Sequence, residues 1–180
     1  MQLALSRLPQ QRQGEIDVLS AFPRVSLMNR QLTDEELVQL YQSCDVFVLP
    51  TRGEGWGRPQ SEAMSMGKAI ISTNWSGSTT FLTDSNSYPL PLSPSLPLVH
   101  PRSGPFNTHL WANPSVNGLK EIMRRVVENE EEVKEKGRQA REDMMTLWSP
   151  EAVADVLLQT IQDLFDRGEE GEREKEEDEE

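Results

Sequence analysis

A chain of 180 residues with 36% hydrophobic content has room for one domain and an appendage, and not for two full cores. Its net charge of −12, with no basic stripe to neutralise phosphates, argues against a nucleic-acid role. A single cysteine, Cys44, excludes a disulfide framework and a cysteine metal site, and His100 and His109 are too scattered for a zinc set.

No apolar run is long enough to cross a bilayer, and the start lacks the basic-then-apolar layout of a signal peptide. A soluble, reducing, cytoplasmic setting is therefore expected. The charge is unevenly spread. From Glu169 to Glu180 there are nine acids, two bases and no apolar residue, so residues 169–180 are expected to be a disordered acidic tail behind a domain spanning 1–168. Such a tail is ordinarily a solvated extension, with contact to basic partners as the alternative.

In chain order, residues 1–23 say little: Leu3, Leu5 and Leu8 suit one helical face, and Gly14 and Pro23 limit it. Arg24 to Met28 alternates apolar with polar and predicts a strand. Thr33-Asp34-Glu35-Glu36 is a capping box, followed by Leu37, Leu40, Tyr41 and Cys44 at helical spacing. On that stripe Cys44 reads as a small buried hydrophobe. Val46-Phe47-Val48-Leu49 is an unbroken apolar strand of the kind buried on both faces of a parallel sheet, ended by Pro50. After Gly53, Gly55 and Gly57, Pro59 suits the first position of a helix that Gly67 closes. Ala69 to Ser72 is a second buried strand. Helices alternating with apolar strands imply a parallel, Rossmann-like sheet.

Beyond Gly77, a short helical turn over Thr79 to Leu82 and a last strand near Tyr88 are expected. Six prolines from Pro89 to Pro105 then impose an irregular connection, with Trp111 packing at its far end. Three helices complete the chain. Asn113-Pro114 starts one with Val116, Leu119, Ile122, Met123 and Val126 inward. Asn129 caps the next, with Val133, Gly137, Ala140, Met144 and Leu147 on its stripe. Ser149-Pro150-Glu151 starts the third, with Val153, Val156, Leu157, Ile161, Leu164 and Phe165 inward and Gly168 as terminator. All three stripes read as core.

The turn after Leu49 is where chemistry is expected, because open parallel sheets bind ligands at the carboxyl ends of their strands. Gly55 and Gly57 let backbone approach a ligand, and the helix start near Pro59 offers amides and a positive dipole end to a phosphate. Glu54 and Glu62, separated by seven residues, supply acceptors for vicinal sugar hydroxyls. Phosphate-binding amides beside diol-binding carboxylates describe a nucleotide-sugar pocket. A plain glycine turn flanked by one solvated and one helix-stabilising acid is the competing reading.

Glu54-Gly-Trp-Gly-Arg-Pro-Gln-Ser-Glu62, followed by Ala63-Met64-Ser-Met-Gly67-Lys-Ala-Ile-Ile, resembles the EX7E signature of retaining glycosyltransferases of group 1, also called family 4, with the GT-B fold. Asp45 to Pro50 and Asn74 to Gly77 are similar to that family's pattern as well, and the likeness covers about residues 24 to 90. The resemblance implies the later part of a GT-B carboxy-terminal domain: a partial Rossmann-like parallel sheet followed by three helices. It implies a nucleotide diphosphate sugar as donor, transfer with retention, and no metal or other cofactor. Glu54 would be the catalytic-site acid on the transferred sugar, and Glu62 would hold the ribose hydroxyls. Gly55, Trp56, Gly57 and Arg58 would complete the donor-binding set.

Trp56 stands where the family often has Phe. A larger departure is that the acceptor domain, two opening strand–helix units and a basic diphosphate clamp are expected before this point and do not precede Arg24. In the usual strand order the strand at Val25 is then cut off, the strand at Val46 exposes an edge, and the isolated chain is expected to be inactive. The alternatives are a non-enzymatic interaction protein using the helical end and tail, and a nucleotide-binding domain unrelated to sugar transfer. Hydride chemistry is disfavoured by the want of a Gly-x-Gly-x-x-Gly turn.

Overall fold

The computed structural model describes residues 25–100 and 107–178, with side chains as far as Arg167. Helix α1 (Asp34–Gln42) begins at the capping box. The Glu36 amide donates to Thr33 Oγ1 at 3.3 Å, and the Thr33 amide donates to the Glu36 carboxylate at 3.0 Å. Arg30 adds a two-pronged contact to that carboxylate, each bond 2.8 Å long. The Arg30 bonds, helped by the Thr33 amide, hold the Glu36 acid down to about 2. The helix ends before Ser43, so Cys44 lies just past it and half-buried, and of the predicted stripe only Tyr41 is buried.

Strand β1 (Val46–Leu49) runs parallel to β2 (Ala69–Thr73), which runs parallel to β3 (Tyr88–Leu90), in the order β1-β2-β3. Phe47 pairs with Ile70, Val48 with Ile71, and Ile71 in turn with Tyr88. The two-residue period of the strands then sorts the side chains. Val46, Val48, Ala69, Ile71, Tyr88 and Leu90 share one face, packed with Leu119, Ile122, Val126 and Val133. Helix α2 (Arg58–Ser65) packs on β1 and β2 and buries Ala63 and Met64. Tyr41 of α1 meets the Phe47 ring edge-on at 5.7 Å. The expected parallel α/β arrangement, with helices on both faces, is what forms. Helix α2 ends as Gly67 predicts: the Lys68 amide reaches the Ala63 carbonyl and the Gly67 amide reaches Met64.

Several expectations need correction. Val25 to Met28 form no strand, and Val25 and Leu27 are exposed, because no neighbouring strand is present among the described residues to pair with them. For the same reason β1 is an edge, and only Phe47 in it is fully buried rather than the whole strand. Pro59 takes the second helical position, not the first. The helical turn near Thr79 is a 3-10 helix over Ser76–Thr80. The proline-rich connection is not wholly irregular, for it holds an antiparallel pair, β4 (Leu98–Val99) and β5 (Trp111–Ala112). Its far end is fastened by buried Ala112, whose amide donates to the Arg52 carbonyl at 2.9 Å, while Trp111 stays partly exposed. The expected features within residues 1–24 lie outside the described residues.

The chain divides into a unit reaching Arg141 and a second from Glu142 to Glu180. In the first, α3 (Val116–Glu128) starts at Ser115, whose hydroxyl accepts the Gly118 amide at 3.0 Å. Asn113 is instead committed to the Leu96 and Pro97 carbonyls. Val116 and Met123 stay exposed, leaving Leu119, Ile122 and Val126 as the packed stripe. Helix α4 (Glu130–Leu147) follows Asn129, whose side chain turns back to the Arg125 carbonyl rather than capping forward. Val133 and Ala140 are buried as expected, and Leu147 is exposed.

In the second unit, α5 (Pro150–Asp178) begins at Ser149, whose hydroxyl accepts the Ala152 amide. Every residue predicted to face inward on α5 is exposed, from Ile161 at 42% to Phe165 at 68%. An amphipathic stripe predicts a face that can be buried, and not the surface that buries it. The backbone stays helical through Gly168 to Asp178, so Gly168 does not terminate α5 as expected. Glu, Lys and Arg, which dominate this stretch, are good helix formers.

Candidate functional site

The site is built from two loops at the carboxyl ends of β1 and β2. Strand-end side chains lash them together: Thr73 Oγ1 donates to the Thr51 carbonyl at 2.6 Å and Ser72 Oγ to the Leu49 carbonyl at 3.1 Å. Buried Gln60 on α2 donates to Ser72 Oγ at 3.2 Å, so the helix start is tied to the same strand ends.

Beyond that point the loops close on one another through the backbone of Glu54. Ser76 Oγ accepts the Glu54 amide at 3.3 Å and donates to the Glu54 carbonyl at 2.6 Å. The Gly77 amide reaches that carbonyl at 3.0 Å. The approach demands glycine: a Cβ on Gly77 would stand 2.0 Å from the Gly55 carbonyl oxygen. Trp56 lies against Phe81 with ring centroids 4.9 Å apart, a second clasp between the loops. Gly57 carries the turn into α2 at φ 102°, a conformation that favours glycine. As N-cap it supplies no side-chain bond, so the first amides of α2 have no capping side chain there. Gly55 faces open space, with nothing within 4 Å of a Cβ placed on it.

The two acids are held differently. For Glu54 the held group is the backbone, and the side chain is half-buried. Glu62 is held by its carboxylate. Arg58, one turn back on α2, makes an ion pair with it at 3.4 Å, and the Tyr41 hydroxyl donates to its other oxygen at 3.3 Å. The same hydroxyl lies 3.5 Å from the Pro59 carbonyl. Tyr41 is buried, and its phenol is pushed up to about 12, first by burial and then by the negative charge of Glu62. The structure thus joins Arg58 to Glu62, and aligns Gly55, Trp56 and Gly57 on the loop between the acids. It does not join the carboxylates of Glu54 and Glu62 to each other. Sequence reasoning gave Tyr41, Ser76 and Gly77 no individual role. Tyr41 sat on an apolar stripe where ring and hydroxyl cannot be weighed apart, and the two loop residues act only through a close approach made in three dimensions.

Residues 6–91 match the family described as glycosyl transferases group 1. That stretch is a little under half of the chain, and over it the chain is similar to group 1 glycosyl transferases. Curated proteins similar to part of the chain include the serotype-specific mannosyltransferase WbdA of Escherichia coli, 46% identical over 43 residues, which is 24% of this chain and 5% of that protein. Among solved structures, sucrose-phosphate synthase from Thermosynechococcus elongatus aligns with a TM-score of 0.52 at 23% identity, over 75% of this chain and 29% of that one. At that identity the likeness speaks to fold, and the fold is that of part of a GT-B glycosyltransferase. The chain therefore spans less than a third of the synthase and a small fraction of the mannosyltransferase. Among the described residues no helix is long and apolar enough to cross a membrane, and no group of three or more His, Cys, Asp or Glu could hold a metal ion.

Proposed function

We propose that the loops after β1 and β2 form the donor half of a retaining glycosyltransferase site that takes a nucleoside diphosphate sugar. The observation that carries this reading is the clasp between Ser76, Gly77 and the Glu54 backbone, which fixes the glycine turn and leaves Gly55 open to a ligand. In this reading Glu54 bonds hydroxyls of the transferred sugar. Amides of Gly55, Trp56 and Gly57 and the uncapped start of α2 lie along the sugar and diphosphate, where they stabilise leaving-group charge. Glu62 bonds the ribose hydroxyls. Its pair with Arg58 is exposed and contributes at most about 1 kcal/mol, so a diol displaces it readily and frees the guanidinium for the diphosphate. No metal takes part, and the setting is cytoplasmic.

Binding of UDP- and GDP-linked sugars by calorimetry tests the reading. Losing charge-assisted bonds of about 1.5–3 kcal/mol from Glu62 corresponds to a roughly ten- to hundredfold weaker complex for Glu62→Ala. Equal affinity for wild type and variant would remove the ribose role. The isolated 180-residue chain is expected to bind donor without turnover, and sugar transfer by it would overturn that part.

A second reading, an interaction protein working through its helical end, is favoured by the exposed apolar side chains of α5. Deleting residues 150–180, which removes α5, separates the two: donor binding persists in the first reading, and partner binding is lost in the second.

A further inference from the structure

Helix α1 lies outside the two loops, yet one of its side chains reaches into the site. The Tyr41 ring is fixed by burial and by its edge-on contact with Phe47. Its hydroxyl comes out between two groups of α2, 3.3 Å from a Glu62 carboxylate oxygen and 3.5 Å from the Pro59 carbonyl. A phenol has one proton to donate, and the carboxylate is both the nearer and the charged acceptor. The remaining partner of Glu62, Arg58, is a flexible side chain at 85% exposure. Of the two contacts, the one from Tyr41 is the fixed one.

We propose that Tyr41 is a positioning residue for Glu62: it anchors one carboxylate oxygen and leaves the other to exchange Arg58 for a ligand hydroxyl. The inference rests on the ribose role of Glu62 proposed above, which it deepens. A carboxylate free to rotate must be ordered when a diol binds, and one already anchored loses less freedom on binding. Tyr41 thus touches no ligand, and its effect is confined to ligands that carry the hydroxyls Glu62 recognises.

That confinement separates positioning from mere packing. Calorimetry on the full chain would compare GDP and UDP with their 2′,3′-dideoxy counterparts, for wild type, Tyr41→Phe and Glu62→Ala. Tyr41→Phe keeps the ring and its contact with Phe47. The expected result is a roughly three- to tenfold loss for the ribonucleotides in Tyr41→Phe, the scale of one hydrogen bond. No loss is expected for the dideoxy forms, and none when Tyr41→Phe is added to Glu62→Ala. An unchanged ribonucleotide affinity in Tyr41→Phe, or an equal loss for both nucleotide kinds, overturns the inference. If Glu62→Ala weakens ribonucleotides while Tyr41→Phe does not, the donor-site reading stands and this inference fails. If no nucleotide binds the wild type, the donor-site reading fails. The Tyr41–Glu62 contact is then judged by NMR titration of the Tyr41 ring: a midpoint that falls in Glu62→Gln supports it, and an unmoved midpoint overturns it.

Discussion

Gly77→Ala is the sharpest perturbation of the clasp between the two loops. The added Cβ would stand 2.0 Å from the Gly55 carbonyl oxygen and 2.8 Å from that of Glu54. Both obstacles are backbone, so neither can rotate away, and one loop must retreat by more than an ångström. Overpacking of this kind costs about 1–3 kcal/mol. Retreat also stretches the 3.0 Å bond from the Gly77 amide and the 2.6 Å bond from Ser76 Oγ to the Glu54 carbonyl. Each contributes about 0.5–1.5 kcal/mol, the lower end applying where water can replace it. A loop that swings out relieves the clash and forfeits the bonds, so the two costs partly exclude one another and a loss of about 2–3 kcal/mol is expected. Urea unfolding of wild type and variant measures it as a shift in midpoint at constant slope. Faster hydrogen exchange at the Glu54 amide would place the loss locally. A change below about 0.5 kcal/mol, with Glu54 exchange unaltered, would refute the close approach as drawn.

Gly55→Ala is the matched contrast. Nothing lies within 4 Å of the new Cβ, so stability is expected to hold or rise by up to about 1 kcal/mol through a less flexible unfolded chain. The same methyl occupies the space assigned to the donor, and nucleotide-sugar affinity is expected to fall; unchanged affinity would move the ligand elsewhere. For Glu36, an ordinary value of 4.5 is lowered to about 2 in the folded chain. A depressed acid contributes stability above its unfolded value and loses it as pH falls through its folded one. The start of α1 is therefore expected to loosen between about pH 4.5 and 2, and NMR titration of the Glu36 carboxyl should show the midpoint rise in Arg30→Ala.

Where the sequence was legible, the signal was local. Thr33 and Glu36 specify a helix start by bonds made within four residues, and the β1 and β2 strands are written in continuous apolar runs. The glycine turn at Gly57 was legible because a residue with positive φ leaves few alternatives. What was not legible depends on partners distant in sequence. Val25 to Met28 has strand-like alternation, but alternation cannot supply a neighbour, and α5 carries a core-like stripe whose side chains are exposed. The site divides in the same way. Glu54, Gly55, Gly57 and Glu62 were found as a motif, whereas Tyr41 enters from α1 and Gly77 from the next loop, each through a contact that exists only in the folded chain.

If the loops after β1 and β2 are a donor site, a nucleotide sugar must bind against them. The most direct measurement is amide chemical-shift mapping of the labelled 180-residue chain titrated with GDP- and UDP-linked sugars. Saturable shifts are expected at residues 53–62 and 76–78, with Glu54, Gly55 and Gly57 among the largest. Shifts absent from both loops, or centred on another part of the fold, would contradict a donor site there.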